Sequence, residues 1–320
     1  MKLGKLSNDE LIDNVIGKLT VSRPEVILTA ALGEDCAALR LEGDILISSD
    51  PITAQMPLDK LGALLVDVCC NDIAANGGEP VALTLTVILP PSYTAADVGI
   101  IVEGAVGRAR AWRADIVGGH TEFSDCVNRP VVSGTALGRA KRLIKKTDMR
   151  AGDRLFVTKK LAMEGTVILA GLKNPALSAD ERAALDRFGK SLDVKKEGGL
   201  LAGFDEVHML HDVTEGGILG AVAEVCRSAG LGARLLEDAF PFDPLTVRLC
   251  ALYGLDRNRF LSSGSMLFAA AGGAPASALS ASGVAVAEIG VVTEGAAVVL
   301  QRADGGEEAV TVLPDELYAI

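Results

Sequence analysis

Hydrophobic positions along the chain follow two rhythms, and an acid interrupts one of them. Leu61, Leu64, Leu65 and Val68 recur at helical spacing, and Asp72 falls where the next apolar residue of that stripe would stand. The spacing predicts a helix whose acid points inward. Gly77-Gly78 supplies the stop, which puts Asp72 in the last turns, where the helix dipole disfavours an anion by roughly 0.3–1 kcal/mol. A cation is expected to compensate.

Helix and strand patterns alternate through the rest of the chain. Residues 7–20 read as an amphipathic helix begun at Ser7, residues 44–49 as a strand closed by Asp50, and residues 81–89 as a strand bounded by prolines. Thr94 with Asp97 reads as a capping pair for a helix to about residue 112. A short strand ending in Gly118-Gly119 follows, then a strand at 130–137. The basic run Arg139-Ala140-Lys141-Arg142-Leu143-Ile144-Lys145-Lys146 is expected to be a solvated face. A turn at Ala151-Gly152-Asp153 opens a fresh strand at 155–158 and a helix up to residue 171, whereas 172–200 is polar and only helical in places. Residues 207–210 form a strand, Thr214 is the expected N-cap of a helix over 217–228, and strands at 285–292 and 296–301 finish the pattern. The class is α/β (α+β), with two domains, 1–150 and 151–320.

Composition narrows the partners. A net charge of −11 argues against nucleic acid or an anionic membrane as the main partner. The weakly charged stretch 266–292 is broken by Gly272-Gly273 and Pro275, so no membrane span is expected. Cys36, Cys69, Cys70, Cys126, Cys226 and Cys250 show no zinc-type spacing and read as reduced, structural thiols. The first nineteen residues carry no signal-peptide core, and a cytoplasmic protein is expected.

Four acids stand in unusual places: Asp35 after Gly33-Glu34, Asp50, Asp72, and Asp212 in Asp212-Val213-Thr214-Glu215-Gly216-Gly217. If they converge, each like-charged pair at ~4 Å costs about 4 kcal/mol at an effective dielectric near 20, unless a divalent cation such as Mg²⁺ neutralises it. Gly118-Gly119 permits close approach of backbone to a phosphate chain. Asp212 with Gly216-Gly217, ahead of a helix, has the geometry of a metal-phosphate site. Ordinary readings stand beside these: a solvated turn for Asp35, helix capping for Asp212 and Thr214, and a satisfied histidine for His120.

In their order and spacing, Gly33-Glu34-Asp35-Cys36-Ala37, Ser49-Asp50-Pro51-Ile52-Thr53, Asn71-Asp72-Ile73-Ala74-Ala75 with Pro80, Gly118-Gly119-His120-Thr121, the Ala151-Gly152-Asp153 turn and the Asp212–Gly217 motif resemble the aminoimidazole ribonucleotide (AIR) synthase superfamily, nearest its HypE branch. The resemblance implies a two-domain fold whose N-terminal strands form a barrel across a homodimer, with ATP and Mg²⁺ bound by the acidic motifs. It implies Asp35, Asp50, Asp72 and Asp212 as metal-facing acids. It also implies Asp50, Asn71, Gly118, Gly119, Thr121, Thr214, Gly216 and Gly217 around the nucleotide, with His120 and Asp212 as catalytic candidates. His120 stands where several branches place an acid. HypE proteins end in a carbamoyl-carrying cysteine, and no cysteine follows Cys250 here, so that chemistry is not expected in its usual form. The expected activity is ATP-dependent phosphorylation of an oxygen, often an amide oxygen, in a small molecule or protein-linked substrate. The alternatives are a nucleotide-binding accessory of metalloenzyme maturation, or a kinase of the thiamine-monophosphate type.

Overall fold

The computed structural model describes residues 3–53 and 56–320. Its contacts divide the chain into a first unit, residues 1–73 with 78–141, and a second, residues 74–77 with 142–320.

The first unit holds β1 (Gly4–Lys5), α1 (Asn8–Asn14), β2 (Val26–Leu28), β3 (Ala38–Leu39), β4 (Ile45–Ile52), α2 (Leu58–Ala74), β5 (Gly78–Leu89), α3 (Ala95–Trp112), β6 (Asp115–Phe123) and β7 (Val131–Ala140). Ser7 caps α1 through a capping box, as expected, but the helix stops at Asn14 and a 3₁₀ turn over Ile16–Lys18 follows. Thr94 and Asp97 form the capping box of α3. The five-stranded sheet runs β1-β6-β5-β7-β4, with β4 at an edge. Asp50 lies within β4 and does not close it, and β6 continues through Gly118-Gly119 to Phe123.

Close packing places α2. A Cβ at Gly62 would fall 2.0 Å from the carbonyl oxygen of Ile101, and one at Gly104 would fall 2.3 Å from that of Asp59, so α2 and α3 touch backbone to backbone. On the sheet side, a Cβ at Gly134 would crowd Leu65 and Cys69. Leu46, Ser48, Asp50 and Ile52 of β4 face this helix, while Ile45, Ile47, Ser49 and Pro51 face away and Ile47 remains 68% exposed. The ribbon of β2 and β3 packs Val26 and Leu39 against Ala82 and Val117.

The buried acid of α2 is Asp67, not Asp72. Asp67 is 5% exposed and accepts hydrogen bonds from Arg108 Nε at 2.5 Å and Trp112 Nε1 at 2.8 Å, which ties α2 to α3. Arg108 thus gives Asp67, five residues before Asp72, a cationic partner.

The second unit holds β8 (Arg154–Thr158), α4 (Met163–Lys173), α5 (Ala179–Gly189), α6 (Lys195–Leu201), β9 (Val207–Val213), α7 (Gly217–Ala229), β10 (Gly232–Leu236), α8 (Pro244–Tyr253), β11 (Ser265–Ala270), α9 (Ala274–Ala281), β12 (Val286–Thr293), β13 (Val298–Gln301) and β14 (Glu307–Ala309). The polar stretch 172–200 resolves into α5 and α6. Seven strands run β14-β13-β10-β12-β8-β11-β9. Ile218, Val222 and Val225 of α7 pack on Met209, Val213, Leu235 and Leu267. Phe156 and Phe268 stack with ring centroids 4.9 Å apart. The basic run is not merely solvated: Arg142 donates to the carbonyls of Ala202, Phe204 and Val207 at 3.2, 2.8 and 3.0 Å. Among the described residues, no helix is long and apolar enough to cross a membrane.

Removing one partner of a buried ion pair leaves the other charge uncompensated, at a cost of about 3–5 kcal/mol. Asp67→Ala should therefore lower the urea-unfolding free energy by about that amount. Asp67→Asn, which keeps an acceptor for the Trp112 indole, should lose measurably less.

Candidate functional site

Edge strand β4 and helix α2 bring two of the four singled-out acids to one hydroxyl. Ser48 Oγ lies 3.2 Å from Asp50 Oδ2 and hydrogen-bonds Asp72 Oδ2 as well. Ser48 and Asp50 share a strand face because they are two residues apart, and α2 lays Asp72 across them. A hydroxyl has one proton to donate, so it can bridge to only one carboxylate at a time. Two anions held this close favour a cation between or beside them. Asp50 makes no ion pair among the described residues. The Cys69 thiol, below the pair, is pushed up to about 12 by burial first and then by the charges of Asp50 and Asp72, so it stays a neutral thiol. Its Sγ donates to the Gly134 carbonyl at 3.6 Å. Neighbouring Asn71 is 1% exposed.

The other expected members stand elsewhere. Asp35 is exposed in the connection between β2 and β3. His120 pairs in register with Thr86, on the sheet face turned away from α2, and its Nε2 lies 3.1 Å from Glu122 Oε2. Thr121, in register with buried Val87, faces the helix side. Gly119 has φ +146°, and a Cβ there would fall 1.8 Å from the Leu85 carbonyl oxygen. Its lack of a side chain is therefore explained by approach to β5. Gly118 has open space where a Cβ would be. Among the described residues, no group of three or more His, Cys, Asp or Glu side chains is close enough to hold a metal.

The second unit carries its own polar centre. Asp212, 4% exposed, stands one residue before the end of β9, opposite Met266. Thr214 does not cap α7: the N-cap is Gly216, at φ 77°, and the Thr214 carbonyl accepts from Gly217 N and Ser262 N at 3.2 Å each. The Gly216 amide donates to Asp315 Oδ2 at 2.7 Å, so the anion at this helix start is the chain's own carboxylate. A Cβ on Gly217 would meet the backbone of Asn258 and Phe260 at 2.7–2.8 Å. Burial pushes the Asp315 carboxyl above the usual range, against the lowering effect of hydrogen bonds from Leu317, Gly216 and Leu261. In the Ala151-Gly152-Asp153 turn, Asp153 accepts from Arg150 N at 2.8 Å and lies 2.9 Å from His208 Nδ1, both side chains nearly buried.

Asp67, Asp153, His208 and Asp315 were absent from the sequence-based candidates. Asp67 lies off the apolar stripe that singled out Asp72 and had no local signal; Asp315 lies 99 residues from its partner amide and had none either.

The fold agrees with what known proteins show. Residues 33–140 match the model of the AIR synthase related protein N-terminal domain, and residues 150–302 match that of the C-terminal domain. Carbamoyl dehydratase HypE of Rhodobacter capsulatus is 27% identical over 298 residues, covering 90% of this chain and 85% of that protein. Selenide, water dikinase of Dechloromonas aromatica is 28% identical over 229 residues, covering 69% of this chain and 63% of that protein. Among solved structures, HypE of E. coli superposes with a TM-score of 0.81 at 25% identity, covering 96% of this chain and 98% of that one. A HypE structure in complex with ATP gives 0.84 at 20% identity, covering 98% and 97%. The chain belongs to the AIR synthase related family.

Asp315→Ala strands a buried amide and should cost about 1–3 kcal/mol in urea unfolding. Because the folded value of Asp315 is raised, its stabilising contribution is full below the unfolded aspartate value of about 3.9 and is lost as pH rises through the folded value. Asp315→Asn removes the titration but keeps only one of the two oxygens that accept from Gly216 and Leu317, so it should start below wild type, and its unfolding midpoint relative to wild type should improve from pH 4 to pH 7.

Proposed function

We propose that the chain is an ATP-dependent enzyme that transfers phosphate to an oxygen of a small molecule or protein-linked substrate, with Asp50 and Asp72 facing Mg²⁺. The observation that carries this reading is the pair of carboxylates held around the Ser48 hydroxyl. Mg²⁺ takes one or two carboxylates and completes its shell with phosphate oxygens and water, which fits this hard, two-acid donor set. Bound there, the ion would supply charge neutralisation to the phosphates. The chain's own part is to hold the acids: Ser48 fixes their spacing, α2 aligns Asp72, and the neutral Cys69 thiol contributes no competing nucleophile. Relatives named carbamoyl dehydratase and selenide, water dikinase, and a fold neighbour solved with ATP, support nucleotide chemistry of this kind.

Asp35 and Asp212 remain further proposed metal-facing acids, and Asn71, Gly118, Gly119, Thr121, Thr214, Gly216 and Gly217 the proposed surroundings of the nucleotide, with Asp212 and His120 as candidates for the chemistry. His120 faces away from the acid pair within its own unit. We place the proposed homodimer contact on that face, where Ile45 and Ile47 are 40% and 68% exposed; this is where His120 would meet a second copy. A second reading, a kinase acting on a thiamine-monophosphate-like metabolite, is favoured by a thiamine-monophosphate kinase neighbour with a TM-score of 0.75.

Thermal unfolding with Mg²⁺ and ATP tests the proposal. Ligand at ~100 times its dissociation constant should add about 2.7 kcal/mol of stability, and Asp72→Asn and Asp50→Asn should each abolish the gain. An ATP shift that is the same in both variants would sink the assignment of the acids. Consumption of a phosphate-bearing metabolite with release of ADP would favour the second reading.

A further inference from the structure

A cavity of about 620 Å³ opens in the first unit, within the range of small-molecule sites, and neither Asp50 nor Asp72 lines it. Met56, Leu58 and Leu61, at the start of α2, give it an apolar wall. Tyr93 stands on the connection between β5 and α3, and Asn128 and Arg129 stand on the connection between β6 and β7. Leu61 is buried, and Met56, Leu58 and Tyr93 are half-buried, so the wall is a formed surface with a wet rim.

Among the described residues of the lining, Arg129 alone is charged. Among the described residues it makes no hydrogen bond or ion pair, although the chain carries a net charge of −11. The loop's acid, Asp125, lies on the other flank, where it lines a second cavity of about 310 Å³ that shares Asn128 and Arg129. An exposed guanidinium without a partner, beside a lining that mixes polar groups with the Tyr93, Met56 and Leu58 side chains, selects an anionic group joined to an apolar body. Asn128 offers an amide to the same end of the ligand.

We propose that this cavity binds a small molecule with a carboxylate or phosphate at Arg129 and Asn128 and an apolar body against Tyr93, Met56 and Leu58. The inference goes beyond the phosphoryl-transfer reading and does not depend on it.

Isothermal titration of the full chain, without nucleotide or metal, with phenyl phosphate, benzoate and uncharged benzyl alcohol is the test. The two anions should bind, and the alcohol should bind roughly tenfold more weakly or worse. Tighter binding of phenyl phosphate than of benzoate would identify phosphate as the group, and the reverse would identify carboxylate. Arg129→Gln should remove the preference for anions, and Tyr93→Ala should weaken all three ligands, with both variants melting as wild type does. Asp72→Asn should bind as wild type, which separates this site from the acid pair. Equal binding of all three probes, binding of none up to their solubility, unchanged anion binding in Arg129→Gln, or displacement by ATP with Mg²⁺ would each overturn the proposal.

Discussion

The first unit depends on how closely one helix approaches its neighbours. Gly62 and Gly104 let α2 and α3 cross with backbone against backbone, and Gly134 lets Leu65 and Cys69 settle onto β7. Dense interiors transmit small displacements because few voids are left to absorb them. Any side chain at these positions would lift α2 and, with it, Asp72 away from the Ser48 hydroxyl. The Asp67 carboxylate then fixes the rotation of the helix, since it must meet both Arg108 and Trp112. Packing sets the depth of α2, and a polar anchor sets its angle.

The second unit solves a related problem differently. The start of α7 has no side-chain cap, and Gly217 is pressed against the backbone of Asn258 and Phe260. The missing acceptor comes from Asp315, far along the chain. A helix start that is commonly open to external anions is here held by an internal one.

Much of this architecture was legible in the sequence. Gly77-Gly78 marked the end of α2, Thr94 with Asp97 marked the start of α3, and the alternating apolar runs marked β5, β7 and β8. The direction in which side chains point was less accessible. Periodicity shows that a helix has an apolar stripe, but Asp67 and Asp72 are five residues apart and only the position of α3 decides which is buried. Asp50 and Asp72 could be singled out as misplaced acids, yet their meeting at Ser48 needs a strand and a helix 24 residues apart to be superposed. Asp35 and His120 were equally plausible on local grounds. Strand register and loop exposure, which are properties of the whole sheet, separated them from the pair.

Strand β6 carries His120 on one face and Thr121 on the other. Two adjacent letters of one motif therefore belong to different surfaces, one turned toward α2 and one toward whatever lies across the open sheet. As a string, Gly118-Gly119-His120-Thr121 looks like a single device. In space it is two half-motifs interleaved on one ribbon, so a change at either position leaves the environment of the other largely intact, and each surface can acquire a new role without renegotiating the other.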